Sequence, residues 1–179
     1  MVFLGIDPGL SGAISVLYPE TNDVDFYDAP VLEMVVNKKS KRVPDAYGMV
    51  RILKEATAGR KVMVTIEKVQ AMPGGGERTM GATSAFNFGY GAGMWMGILA
   101  ALELPHQQVH PATWKAALMK GCPKEKDASR IVAMQHYPKA AGRLSRKKDN
   151  GRSDALMIAR YGWLTYGGQQ EKPKEGLFE

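Results

Sequence analysis

The chain has 179 residues, 45% of them apolar and 23% charged, with one cysteine, Cys122, and a formal net charge of +6. That is one domain with enough apolar residues for a core, it excludes an intrachain disulfide, and its pI of about 9.4 suggests an anionic partner, nucleic acid or a membrane surface. No secretory signal opens the chain, so an intracellular protein is expected, cytoplasmic or associated with a nucleoid, or in an organelle such as a chloroplast if the chain is a mature organellar protein.

Residues 1–7 (MVFLGID) form a short apolar run ending in an acid, and Pro8-Gly9 and Ser11-Gly12 punctuate a turn. Strands are expected at 13–18 and 24–28, joined by the turn at Thr21-Asn22-Asp23, which gives a three-stranded antiparallel meander. Residues 37–42 (NKKSKR) read as a basic loop. Met49, Ile52, Leu53 and Ala56 fall at i, i+3, i+4 and i+7, the stripe of an amphipathic helix. Val62, Val64 and Ile66 alternate in a strand that Glu67 closes. Residues 71–79 (AMPGGGERT) are a loop. Residues 84–104 are apolar and about long enough to span a bilayer, but Asn87 and Glu103 favour a buried helix over a membrane role. Its Gly89, Gly93 and Gly97 share one face, and close packing of another backbone is expected there. A strand at 107–110 follows, then helices at 111–119 and 124–137, the latter with Ala128, Ile131 and Val132 inward. Residues 140–150 are a basic loop, and Ser153 begins a last helix with Ala155, Ile158, Ala159 and Gly162 inside. The fold class is α/β: one domain over residues 1–166, a five-stranded mixed sheet with helices on its faces, and a polar, flexible tail at 167–179.

Asp7 and Glu67 each end an apolar strand, where an unmatched carboxylate is costly to bury. If those strands pair, their backbones lie about 4.8 Å apart. Two carboxylates so close repel unless a divalent cation sits between them. Asp154, in the first turn of the last helix, is either an acid placed by the helix dipole or a third ligand. Asp149 is either a solvated loop acid or a fourth. There is no HxxxH or CxxC pattern, so zinc is not expected; an all-oxygen set favours Mg²⁺, with Mn²⁺ able to substitute. Such a set can support in-line attack on a phosphodiester.

Four segments carry a family resemblance. FLGIDPGLSGAISVL resembles the first hairpin of RuvC-type Holliday-junction resolvases, and TIEKVQAMP resembles the segment with that family's second acid. QVHPATWKAALM with CPKEKDASRIV resembles its basic segments, and GRSDALMIARYG resembles its closing helix. The resemblance runs over residues 1–164 in the right order and is strongest to the chloroplast (monokaryotic chloroplast) branch. It implies an RNase H-like fold, a homodimer, and Mg²⁺-dependent paired nicking of a four-way DNA junction in recombination and repair, leaving 5′-phosphate and 3′-hydroxyl ends. By position it makes Asp7, Glu67 and Asp154 the metal-binding, catalytic acids. Lys126 matches a residue near the scissile phosphate, and Lys115 matches another. Many relatives place a fourth acid three residues before the last; that position here is Gly151, and Asp149 is the candidate to replace it.

Candidate DNA contacts are Lys38 and Lys39 with Lys41 and Arg42; Lys115, Lys120, Lys124 and Lys126; and Arg143, Arg146, Lys147, Lys148 and Arg152, which lead into Asp154. Met72 and Arg78 of the glycine-rich loop are candidates for touching bases. The bland alternatives are solvated surface charge and a plain flexible connection. Another RNase H-like nuclease or a non-catalytic junction binder would share the fold. An actin-like ATPase would need a second such domain and a second DxG hairpin, which 179 residues do not supply.

Overall fold

The computed structural model describes residues 1–36, 38–70, 81–122 and 128–170. Strands β1 (Val2–Asp7), β2 (Ala13–Tyr18) and β3 (Asp23–Asp28) form the expected antiparallel meander. A hairpin of β4 (Val31–Val36) and β5 (Lys39–Pro44) follows, then α1 (Ala46–Thr57), β6 (Val62–Glu67), α2 (Ala82–Ala101), β7 (His106–Val109), α3 (Pro111–Leu118), α4 (Ala128–His136) and α5 (Asn150–Gln170). The main sheet has the order β3-β2-β1-β6-β7, with β6 parallel to both β1 and β7. It is mixed and five-stranded, as the sequence led us to expect.

The central strands are apolar on both sides because both sides are covered. Leu4 and Ile6 of β1, Ile14 and Val16 of β2, and Val64 and Ile66 of β6 meet Met49, Ile52 and Leu53 of α1 and Trp95 and Leu99 of α2. On the opposite face Phe3, Leu17, Val24 and Val109 meet Trp114 of α3, Val132 of α4 and Leu156–Ala159 of α5. Asp45 starts α1 by accepting the amide of Gly48 at 3.0 Å.

Gly5 lets α5 lie directly on β1. A Cβ at Gly5 would strike the backbone carbonyl of Ala155 and the backbone nitrogen of Ala159, neither of which can rotate away. Gly5→Ala should therefore cost about 3 kcal/mol, the upper part of the range for overpacking. An unchanged urea midpoint would contradict this.

Several expectations need correction. Residues 39–42 are not a loop: β5 pairs with β4 from Val36↔Lys39 to Val31↔Pro44. Residues 138–144 and 147–149 are 3-10 turns, and α5 starts at Asn150, a turn before Ser153. α5 also runs on through residues 167–170, which composition had placed in the tail. Ile131 points outward, 48% exposed. Among the described residues, nothing packs against Gly89, Gly93 and Gly97: a Cβ at each would meet open space. Within the chain, α2 buries only the opposite stripe of Gly91, Trp95 and Leu99. Among the described residues no helix is long and apolar enough to cross a membrane.

Candidate active site

The pairing of Ile6 with Ile66 makes Asp7 and Glu67 the next residues on adjacent parallel strands. Alternation along the strands turns both toward α5, the side that Phe3 and Met63 also face. Asp154 lies on α5 next to Ala155, whose carbonyl sits over Gly5. Residues distant in sequence are thus brought to one recess at the C-terminal ends of β1 and β6.

All three acids are partly buried, and each is harder to ionise than usual. Burial pushes Asp7 up to about 7, against the Gly9 amide that donates to Oδ1 at 3.2 Å; the charges of Asp154 and Glu67 raise it further. Burial also raises Glu67, opposed by the indole of Trp114, whose Nε1 donates to Oε2 at 2.8 Å. Asp154 is raised by burial, opposed by the Ser129 hydroxyl. Lys115 is the cation whose charge reaches all three. It also lies 5.1 Å from the centre of the Trp114 ring.

Among the described residues, three carboxylates against one lysine leave a surplus of negative charge in a recess. As placed, each is turned to its own donor, and among the described residues no three Asp, Glu, His or Cys side chains stand together around one ion. The donor set is nevertheless that of a hard divalent cation: oxygen only, anionic and short of positive charge. Each of Asp7 and Glu67 keeps a second carboxylate oxygen beyond the one bonded to its donor.

Asp149 is not brought to the three. Its carboxylate, 3% exposed, accepts from Arg146 through the backbone amide at 3.0 Å, Nε at 3.1 Å and Nη2 at 2.8 Å, with Arg152 at 3.9 Å. The Arg146 bonds hold it below the usual carboxylate range. Gly151 has a steric reason to be glycine: a Cβ there would lie 2.9 Å from Gly12 Cα and strike the carbonyl of Ser11. The position where the resemblance led us to expect a fourth acid cannot carry a side chain here.

Of the basic candidates, Lys38 and Lys39 are exposed at the tip of the hairpin. Arg146, Lys147 and Lys148 line a cleft of about 450 Å³. Arg152 is already committed, gripping Asp28 with Nε at 2.6 Å and Nη2 at 2.8 Å. Met72, Arg78, Lys124 and Lys126 lie outside the described residues.

Sequence reasoning left Trp114 without a role and passed over Ser129. A signal for the first existed: a fully buried indole needs an acceptor for its N–H, and Glu67 is the acid nearby. Nothing in the sequence singles out Ser129. Trp114→Phe removes the donor and part of a fully buried ring system, and should cost at least the roughly 1.5–3 kcal/mol of a hydrogen bond to a charged group. Urea denaturation would measure it; no loss would mean that the bond contributes nothing.

No protein-family model matches the chain. A curated relative, the chloroplastic Holliday junction resolvase MOC1 of Chlamydomonas reinhardtii, is 31% identical over 94 residues. The match takes in 52% of this chain but only 10% of that protein's length. Among solved structures, Thermus thermophilus RuvC in complex with a Holliday junction substrate matches over 93% of this chain and 97% of its own, with a TM-score of 0.57 and 16% identity. Another Thermus thermophilus RuvC structure matches over the same shares with a TM-score of 0.50. The chain therefore has the fold of RuvC, an RNase H-like α/β fold built on a mixed five-stranded sheet.

Proposed function

We propose that the chain is a metal-dependent endonuclease that resolves four-way DNA junctions by paired, symmetrical nicks. The observation that carries this is the convergence of Asp7, Glu67 and Asp154 in one recess of a fold shared with RuvC, whose structure with a Holliday junction substrate covers nearly the whole chain. Asp7, Glu67 and Asp154 would hold the cation, and their hard oxygens favour Mg²⁺, with Mn²⁺ as substitute. When bound, the cation supplies a lower pKa for the attacking water and stabilises charge on the leaving 3′ oxygen.

The chain's own residues do the rest. The Gly9 amide, Trp114 and Ser129 hold the three carboxylates, and Lys115 offsets part of their charge. Low exposure strengthens every one of these interactions. Lys38, Lys39, Arg146, Lys147 and Lys148 are placed on the surface for phosphates. Asp149 joins the acids only if Arg146 releases it. Lys126 near the scissile phosphate, Lys124, and Met72 and Arg78 at the bases complete the reading. It places the protein with DNA inside a cell, in a nucleoid or, as for the chloroplastic relative, in an organelle.

Two nicks need two active sites, so the reading includes a homodimer. The outer face of α2 supports it: Phe86 and Tyr90 are 72% and 55% exposed, they stack on each other at 6.4 Å, and Gly89, Gly93 and Gly97 leave room for a second backbone. Sedimentation at micromolar concentration should give twice the 19.6 kDa chain mass. A monomer with and without junction would sink the dimer.

Substrate choice tests the reading itself. A labelled four-way junction, a linear duplex and an RNA–DNA hybrid are incubated with Mg²⁺ or with EDTA. Symmetrical, Mg²⁺-dependent nicks in the junction alone are expected. Cutting of the hybrid alone would make the chain an RNase H, and binding without cutting would make it a junction binder.

A further inference from the structure

The β4–β5 hairpin stands apart from the main sheet. Its strands pair only with each other, and two strands alone are marginally stable in water. One hold on it is Arg42 of β5, which donates from Nη2 to the Leu10 carbonyl and from Nη1 to the Ser11 hydroxyl. That pins the hairpin to the β1–β2 turn, three residues after Asp7. Much of the hairpin is open to solvent. Leu32 and Met34 are half exposed, Val35 is 79% exposed, and Lys38, Lys39 and Lys41 are all exposed.

Across the turn lies the 450 Å³ cleft. It is lined by Arg42 of the hairpin, by Arg146, Lys147 and Lys148 of the segment before α5, and by Leu10, Ser11 and Gly12 of the turn. Its two acids are already matched, Asp28 by Arg152 and Asp149 by Arg146. Arg42 bonds only to neutral oxygens, and Lys147 and Lys148 form no ion pair among the described residues. The cleft therefore holds uncompensated positive charge from two segments of the chain. Its lining includes Gly151, three residues before Asp154.

We infer that this cleft is a phosphodiester-binding groove in which the hairpin and the segment before α5 both grip the backbone of one DNA arm. Arg42 is the positioning residue that fixes the hairpin to the turn after Asp7. This rests on the nuclease reading and adds to it a second grip on the substrate, beside the acids. Length argues for a polymer over a free anion. The cleft reaches Gly151, three residues before Asp154, and the exposed Lys38, Lys39 and Lys41 extend the positive charge along the hairpin outside it, over about 20 Å of strand.

The test measures affinity for a labelled junction and a linear duplex in EDTA across a range of salt. The variants are Lys147→Gln/Lys148→Gln, Arg42→Gln, and Lys54→Gln on the outer side of α1 as a control. Removing one cation that neutralises a phosphate should flatten the log–log salt dependence by about 0.9. The slope should thus fall by about 2 for the lysine pair, by about 1 for Arg42→Gln and not at all for the control, on duplex as well as junction. Lys147 and Lys148 are exposed, so the thermal melt of their double variant should match that of the parent, and it keeps the test valid if Arg42→Gln loosens the hairpin. Unchanged slopes in a protein whose parent still binds and cuts junctions would overturn the groove and leave the nuclease reading intact. A parent that binds no DNA at low salt would overturn both. Inorganic phosphate or an acidic peptide competing as well as duplex at equal ionic strength would overturn the assignment to DNA.

Discussion

Asp7→Asn should abolish cutting of a four-way junction, by about three orders of magnitude or more, the scale set by several kcal/mol of charge stabilisation. Junction binding should survive. Asn keeps the shape of Asp7 and can still meet the recess, while Lys38, Lys39, Lys147 and Lys148 lie on other elements and keep their charges. Removing a negative group from beside a phosphate can only favour the complex. The check is single-turnover cutting with Mg²⁺ beside equilibrium binding in EDTA. Cutting within tenfold of the parent would remove Asp7 from the chemistry. Loss of binding together with cutting would mean that the substitution had disturbed more than a ligand.

The second large effect is on stability in the absence of metal. The folded chain holds the Asp7 proton up to about pH 7, whereas an ordinary aspartate releases it near 3.8. Between those values the folded state binds more protons than the unfolded chain, so stability must fall as pH rises. At 1.36 kcal/mol per unit of pKa, Asp7 alone accounts for a loss of up to about 4 kcal/mol, complete once the pH passes about 7. Glu67 and Asp154, also raised, act with the same sign. Asp149 and His136, both held below their usual ranges, act with the opposite sign: the contribution of Asp149 is lost only as pH falls below about 4, and His136 offsets part of the decline below about pH 6.5. Urea unfolding in EDTA from pH 5 to 8 should therefore show a declining midpoint, a shallower decline in Asp7→Asn, and recovery at pH 8 on adding Mg²⁺. A midpoint that is level or rising over that interval would contradict the packing of these acids.

Much of the site was legible because it sits on the most regular parts of the chain. The apolar run of β1 ends in Asp7, and the alternation of Val62, Val64 and Ile66 ends in Glu67. Parallel pairing then places the two acids side by side without further information. The hairpin was not legible, because β5 is Lys39-Ser40-Lys41-Arg42, residues that favour strands weakly and are held there by pairing with β4. Residues 138–149 were missed for a related reason: short 3-10 turns have no apolar period to read. The glycines of α2 were read as signs of close packing, but whether a face is covered depends on the tertiary arrangement, and within one chain it is open. Gly151 looked like a missing acid. Its reason is the approach of α5 to the β1–β2 turn, a contact between residues about 140 positions apart.

Most directly of all, the proposal that the three acids share a cation is tested by calorimetric titration of metal-free protein with Mn²⁺, beside Asp7→Asn, Glu67→Gln and Asp154→Asn. Binding to the parent, releasing protons near pH 7 and abolished or sharply weakened in each of the three variants, is the predicted result. Mn²⁺ bound equally well by all four proteins would contradict it, because Asp7, Glu67 and Asp154 would then hold no cation between them.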